Sequence, residues 1–370
     1  MKFKINKKLI ENSVEFLNNY IDSNDAFIPL RGILFKIDYD NITMIGSNNY
    51  LNVRKIIKTK DNNINIYEPG SFLINASLMR DVIKKFDEEI FFESDVLNII
   101  LYENKTKYIL TKLEIEKYPY INFDLQKNKT KINSNEMREI INNVSLATSQ
   151  NTEKVNFVIY KCINLKSNNG VLRLTATDSH RLITQIINLN ESFDFNVLAE
   201  SKNLKKLFPK EITKEVDLFL GEEKIGVSYN ETVIFTNLIK ENFTDISPFL
   251  KPIYNKTLKI SKNTLLNLVN KVIFQSSDKI RRLQFLLNKN ELKLSFEVPE
   301  TGISSASSNR FEFDGDLVDI DVDFQFFKDA LSVVNTDEIE IKFNESNERI
   351  YVLSDKYPEN IQILTPIRRY

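Results

Sequence analysis

One histidine, one cysteine and 8 glycines in 370 residues exclude much chemistry before any motif is read. A lone cysteine, Cys162, permits no internal disulfide and fits a reducing compartment. With no His-x-x-x-His and no Cys-x-x-Cys pair, neither a structural nor a catalytic zinc site is expected. Scarce glycine leaves little material for phosphate-cradling loops, and GEEKIG (221–226) is not one, because no Lys-Ser/Thr pair follows it. No stretch approaches about eighteen uninterrupted apolar residues, and MKFKINKKLIENS carries no long apolar region. Neither a signal peptide nor a membrane span is therefore expected, and the expected location is cytoplasmic. The formal net charge is −1, so any attraction to nucleic acid has to come from how charge is distributed.

The single histidine lies in TATDSHRL (175–182), directly after Asp178 and Ser179, the other two residue types of a hydrolase triad. A working triad converges from separate places, whereas consecutive residues of a strand point to alternating faces. If the SNNG turn (167–170) closes a hairpin, Cys162 lies opposite Thr175 and His180 is roughly 16 Å away at 3.3 Å per residue. A Cys-His nucleophile pair is excluded on that spacing, and Cys162 is expected to be a buried, inert thiol. The acidic run DGDLVDIDVD (314–323) lacks the glycine of an EF-hand loop and has Gln325 where the bidentate glutamate belongs. Its alternation predicts a strand with one solvated acidic face. No catalytic residue, no metal and no cofactor is expected.

What the chain does contain is itself, three times. FKINKKLIENSV (3–14), TKINSNEMREII (130–141) and LKISKNTLLNLV (258–269) each run from a short strand through an Asn or Ser cap into an amphipathic helix. A second helical pattern recurs as INASLMRDVIKKF (74–86), LAESKNLKKLFPK (198–210) and VDFQFFKDALSVV (322–334), at a spacing of 124 both times. Between the helices of each pair, ILFKIDYDNITMIG, CINLKSNNGVLRLTAT and QFLLNKNELKLSFEV read as β-hairpins. Each second helix is followed by a strand-rich block, in which TKLEIEKYPYI (111–121) and TNLIKENFTDI (236–246) align without a gap. The fold class is α+β: three similar domains over 1–125, 126–252 and 253–370, each with two helices and antiparallel sheet.

Charge follows the helices weakly. Residues 7–19, 75–87, 134–149, 200–211, 261–275 and 323–334 hold thirteen Lys/Arg and ten Asp/Glu, which leaves the rest of the chain at −4. The second helix of the middle repeat, with Lys202, Lys205, Lys206 and Lys210, concentrates the positive bias. By itself such a pattern is also that of ordinary solvated helix faces.

TATDSHRL, the threefold repeat, the length and the C-terminus IQILTPIRRY together resemble the bacterial DNA polymerase III beta subunit, the sliding clamp. The resemblance spans the whole chain. It implies a DNA clamp fold and a head-to-tail homodimer, a ring of six domains closed by one rotation. It implies helices that face double-stranded DNA without sequence preference, here through Lys7, Lys8, Arg80, Lys84, Arg138, Lys202, Lys205, Lys206, Lys262 and Lys271. It implies a pocket for short linear peptides of the replicative polymerase alpha subunit, the clamp loader, repair polymerases and ligase. One side of that pocket would be Thr177, Ser179, His180, Arg181 and Leu182, with Arg181 or His180 bonding peptide carbonyls at the rim. The other side would be Ile363, Leu364, Pro366, Ile367 and Arg368, joined by Ile159 and Phe249. The dimer interface would use Val82, Tyr108 and Leu110 against Phe274 of the partner, with Glu300.

The chain departs from the family pattern in places. Ser179 stands where many clamps have glycine, Thr365 where a larger apolar residue is common, and Asp25 where a basic residue is frequent. The tail ends Arg368-Arg369-Tyr370, and the usual acidic cluster after the third-domain hairpin is reduced to Glu297 and Glu300. The competing expectation is a clamp-fold adaptor that binds peptides without sliding on DNA. Lys202, Lys205 and Lys206 argue against it.

Overall fold

Alternating apolar sequence dominates the chain, and antiparallel strands dominate the computed structural model. It describes residues 1–62, 64–124, 128–149, 157–191, 193–212, 214–251, 253–274 and 281–369. Among these, the α-helices are α1 (Lys7–Asn18), α2 (Ala76–Ile83), α3 (Ser134–Ser145), α4 (Ser201–Leu207), α5 (Ser247–Leu250), α6 (Lys262–Val272) and α7 (Phe324–Val333). The expected caps are present. Asn6, Asn75, Ser261 and Asp323 each accept backbone N–H bonds at the start of α1, α2, α6 and α7. The helices end earlier than their apolar periodicity suggests. After α2 and α3 the chain tightens into i→i−3 bonds, such as Phe86 N–H to Ile83 O and Ala147 N–H to Val144 O. After α4 it meets Pro209, which disfavours helix at the residue before it.

The chain separates into two compact units, Met1–Asn135 with Lys202–Leu238, and Glu136–Ser201 with Ile239–Tyr370. The first contains a five-stranded and an eight-stranded sheet, the second a nine-stranded and a four-stranded one. The middle repeat divides its strands between the units. In the first unit, strand Thr232–Asn237 pairs with Leu51–Lys58; in the second, Arg181–Asn188 pairs with Ile361–Leu364. Neither of these strands is left as an open sheet edge.

Both cores are aromatic. Phe3 stacks on Phe92 and Phe35 on Phe72, each pair at 4.6 Å between ring centroids, in the first unit. Phe285 meets Phe327 and Phe343 in the second. No helix among the described residues is long and apolar enough to cross a membrane.

Three expectations are corrected here. The middle hairpin turns at Asn169-Gly170, both with positive φ, so Asn164 rather than Cys162 lies opposite Thr175. Cys162 is nevertheless buried, and burial pushes its thiol up to about 12. The acidic run forms strand Val318–Asp323, but Asp321 is buried beside Arg282 and Arg369, so its acidic face is not wholly solvated. TKLEIEKYPYI and TNLIKENFTDI leave the sheets after Thr111 and Asn237 and run on as connectors.

Gly226 shows how closely the eight-stranded sheet is packed: a Cβ built there would lie 2.3 Å from Ile234 O and 2.6 Å from Phe219 Cζ. Because the nearest obstacle is backbone, Gly226→Ala is expected to lower stability by about 2–3 kcal/mol. Urea unfolding of the two proteins, with the slope held equal, checks this.

Candidate partner-binding site

The segment TATDSHRL ends one strand (Val171–Thr177), turns, and begins another (Arg181–Asn188). The turn is built from its own polar side chains. Thr177 Oγ1 accepts from Ser179 N–H at 3.2 Å and donates to Arg181 O at 2.7 Å. Asp178 Oδ1 accepts from the N–H groups of His180 and Arg181, both at 3.1 Å. Asp178 therefore caps the turn. Ser179 sits at φ 76°, in the left-handed region that glycine enters without steric cost.

His180 is exposed, and its carbonyl accepts from Thr365 N–H at 2.9 Å, which ties the turn to the C-terminal tail. Arg181 corrects the expectation of a rim residue. Its side chain is only 4% exposed and bonds Asp178 at 3.0 Å and Asp329 of α7 at 2.6 Å. Its guanidinium carbon lies 4.0 Å from the centroid of the Phe326 ring. A guanidinium so occupied has little left to offer a ligand.

The apolar cluster beside this turn follows from strand register, and its central side chains are nearly buried: Leu182 is 7% exposed, Ile361 and Ile363 6%, and Tyr351 2%. Leu182 faces Ile363 across one strand pair and Ile363 faces Tyr351 across the next, so the three form a row on one face. Ile361 and Leu353 extend the row, and Ile246, Phe249 and Leu250 from α5 and its entry pack against it. The Arg349 guanidinium lies 4.7 Å from the centroid of the Phe249 ring. Leu364 corrects the expected list: by alternation it points to the opposite face and joins the core of the four-stranded sheet and α6–α7. Ile159 lies half-buried in a 3-10 turn and is not a member of this apolar row. Pro366 is half-buried, Arg368 exposed, and Ile367 37% exposed with its N–H bonded to Asp321 O at 2.8 Å. Tyr370 lies outside the described residues.

Comparison with known proteins identifies the family. Models of the DNA polymerase III beta subunit match in order: its N-terminal domain over 1–122, its central domain over 131–245 and its C-terminal domain over 253–368. The chain belongs to the DNA polymerase III beta subunit family. The beta sliding clamp of Mycoplasmopsis pulmonis is 24% identical over 374 residues, covering 100% of both chains. That of Bacillus subtilis is 22% identical over 382 residues, again covering 100% of both. The crystal structure of the Bacillus subtilis DNA polymerase sliding clamp matches with a TM-score of 0.92 at 20% identity, and covers 100% of each chain. That of the Pseudomonas aeruginosa DNA polymerase III subunit beta matches at 0.89 and 19%, with the same coverage.

The residues that family membership brings to attention are spread over the helices and two edge strands. Lys7 pairs with Glu11 at 2.9 Å, Lys84 with Glu15 at 2.8 Å and Arg80 with Asp81 at 2.9 Å. Lys206 Nζ donates to Asn19 O, and Lys262 Nζ to Val334 O, both at 2.7 Å. Lys8, Lys202, Lys205 and Lys271 are exposed, and Arg138 is half-buried. Burial holds the Lys205 and Lys206 ammoniums below the usual lysine range, and Lys202 adds repulsion at Lys206. Asp25 accepts from Phe27 N–H at 2.8 Å and so helps shape its own loop.

Strand Thr106–Thr111 is an edge of the five-stranded sheet, and Gly302–Ser308 an edge of the four-stranded one. Tyr108 is half-buried against Phe86, while Val82 and Leu110 are already buried within the chain. The exposed apolar residues of these edges are Ile109 and Ile303, which sequence reading missed. Phe274 is half-exposed beside Phe296, and Glu300 is exposed in a positive-φ turn. No group of three or more His, Cys, Asp and Glu side chains among the described residues is placed to hold a metal ion.

The contrast between the two neighbours in the turn is testable. Arg181→Ala leaves Asp178 and Asp329 without their cation and is expected to cost about 3 kcal/mol. His180→Ala is expected to stay within about 0.5 kcal/mol of the parent. Equilibrium denaturation of both variants distinguishes a buried ionic hub from an exposed ring.

Proposed function

We propose that this chain is a DNA sliding clamp, a non-enzymatic processivity factor that encircles duplex DNA and tethers the replicative polymerase through its apolar row. The observation that carries this reading is the row Leu182, Ile363 and Tyr351, flanked by Phe249, in a chain whose three thirds all match beta subunit domains. The row itself is nearly buried, and the half-buried Phe249, Leu250 and Leu353 packed against it would offer the contact for a Leu or Phe anchor of an extended peptide. The polymerase alpha subunit, the clamp loader, repair polymerases and ligase would share this groove in turn. Domain boundaries at 1–125, 126–252 and 253–370 go with this reading, as does a cytoplasmic location.

The working form would be a homodimer. Two different edge strands, Thr106–Thr111 and Gly302–Ser308, suit a head-to-tail contact that closes on itself after one rotation. Ile109 and Ile303 supply apolar area there, and few charges are needed. DNA would be held by diffuse, sequence-independent attraction from helix lysines, with retention arising from ring closure. An adaptor that never slides would have little use for the exposed Lys202 and Lys205.

Light scattering is expected to give twice the chain mass, with six-lobed rings in negative stain; a monomer at micromolar concentration would sink the ring. Separately, Leu182→Ala combined with Ile367→Ala is expected to abolish binding of a labelled peptide ending in Leu-Phe and leave the dimer intact. Unchanged affinity in that double variant would remove the groove from the proposal.

A further inference from the structure

Both sides of the apolar row are anchored to one continuous stretch of the third repeat. Strand Val318–Asp323 leads directly into α7, with Asp323 as the helix cap. From α7, Asp329 bonds Arg181 at 2.6 Å and Phe326 underlies the same guanidinium, which fixes the turn from which Leu182 emerges. Gln325 Nε2 holds the second Asp329 oxygen at 2.8 Å, so the carboxylate is itself oriented.

From the strand, Asp321 accepts Arg369 in a two-point contact, Nε at 3.0 Å and Nη2 at 2.8 Å. Asp319 takes the same Nη2 at 2.6 Å. The backbone of Asp321 also accepts from Ile367 N–H, while Thr365 N–H bonds His180 O. The tail residues Thr365 to Arg369 are thus strung between the turn and the acidic strand, with Pro366 and Ile367 in the span.

We propose that Val318–Val333 is the template that positions both walls of the peptide groove, with Asp329 holding the turn wall and Asp319 and Asp321 holding the tail wall through Arg369. Arg369 is then a positioning residue: it has no need to touch the peptide, and its guanidinium presents Ile367 to it. This inference rests on the peptide-binding reading above. It goes beyond that reading by assigning a role to a residue past the Pro366-Ile367-Arg368 segment and to carboxylates outside the groove. Two-point Arg–carboxylate contacts give geometric definition as well as attraction, and here they add a side-chain clamp to the backbone bonds of Thr365 and Ile367.

The experiment uses the full-length protein, its Arg369→Ala and Arg369→Lys variants, amide hydrogen exchange, and anisotropy of a fluorescein-labelled short peptide ending in Leu-Phe. In Arg369→Ala, exchange at Ile367 is expected to quicken about tenfold, with the helices unaffected. The peptide Kd is expected to rise about five- to tenfold, through faster dissociation. Arg369→Lys keeps the charge and is expected to recover part of both losses. Unchanged exchange in Arg369→Ala overturns the tether, as does a lysine no better than alanine. Faster exchange with unchanged affinity overturns the positioning role. Absence of peptide binding by the unmodified protein overturns the groove and the template with it, and is told apart because exchange reads the tether without any peptide.

Discussion

Backbone pairing between strand Arg181–Asn188 and strand Ile361–Leu364 is the contact on which the candidate site depends. The two segments are far apart in sequence, and neither alone presents a groove. Once paired, their alternation places Leu182 beside Ile363, and Tyr351 on the next strand completes the row. A slip of one residue would turn Ile363 toward the core and Leu364 outward, exchanging the site for its reverse side. The ionic contacts of Arg181 and Arg369 act on top of this register. They orient what the ladder has already placed.

The first unit shows that the scaffold alone does not make the site. Strand Leu51–Lys58 pairs with Thr232–Asn237 in the same sense, and Asn52 lies opposite Phe235 as Leu182 lies opposite Ile363. The turn before it is built in the same way. Asn49 has φ 69°, Ser47 Oγ accepts from Asn49 N–H at 3.1 Å, and Asn48 Oδ1 accepts from Leu51 N–H at 2.8 Å. Yet Asn52 is polar and bonded to Ser47, and Phe235 is covered by Phe123 edge-on and by the Lys224 ammonium. Repetition has supplied the same backbone twice, and only one copy carries an apolar row. The function attaches to side chains at matched positions and not to the fold that presents them.

This explains what was legible in the sequence and what was not. The repeats, the hairpins and the helix starts were readable because they depend on neighbours within a turn or two: an Asn before an amphipathic run, an Asn-Gly between alternating segments. Helix ends were overestimated because an i→i−3 closing turn at Phe86 or Ala147 leaves no mark in apolar periodicity. Leu182 and Ile363 were named from the motif and the tail, and Phe249 only from the resemblance. Tyr351, Ile361 and Leu353 were missed because membership in the row is set by long-range register, which no local pattern encodes. Arg181 and Asp321 failed as surface residues for one common reason. Their neutralising partners, Asp329 in one case and Arg282 and Arg369 in the other, lie on other elements.

The same reasoning bears on how such a protein would hold DNA. At least half of the ten helix cations expected to face the duplex are already engaged within the chain. Lys7 and Lys84 are paired with glutamates, Arg80 with Asp81, and Lys206 and Lys262 are turned onto backbone carbonyls. Each engaged cation has a competitor for any phosphate, and Lys205 and Lys206, exposed but partly desolvated, hold their protons less firmly than free lysines. A protein that grips by charge gains affinity with every phosphate neutralised and loses it steeply with salt. With half of these cations shared internally, a hold on DNA of the kind proposed above would rest less on that mode and more on retention by enclosure. Loose contacts then become an advantage, because a phosphate that is never held tightly does not have to be released before the next one is met.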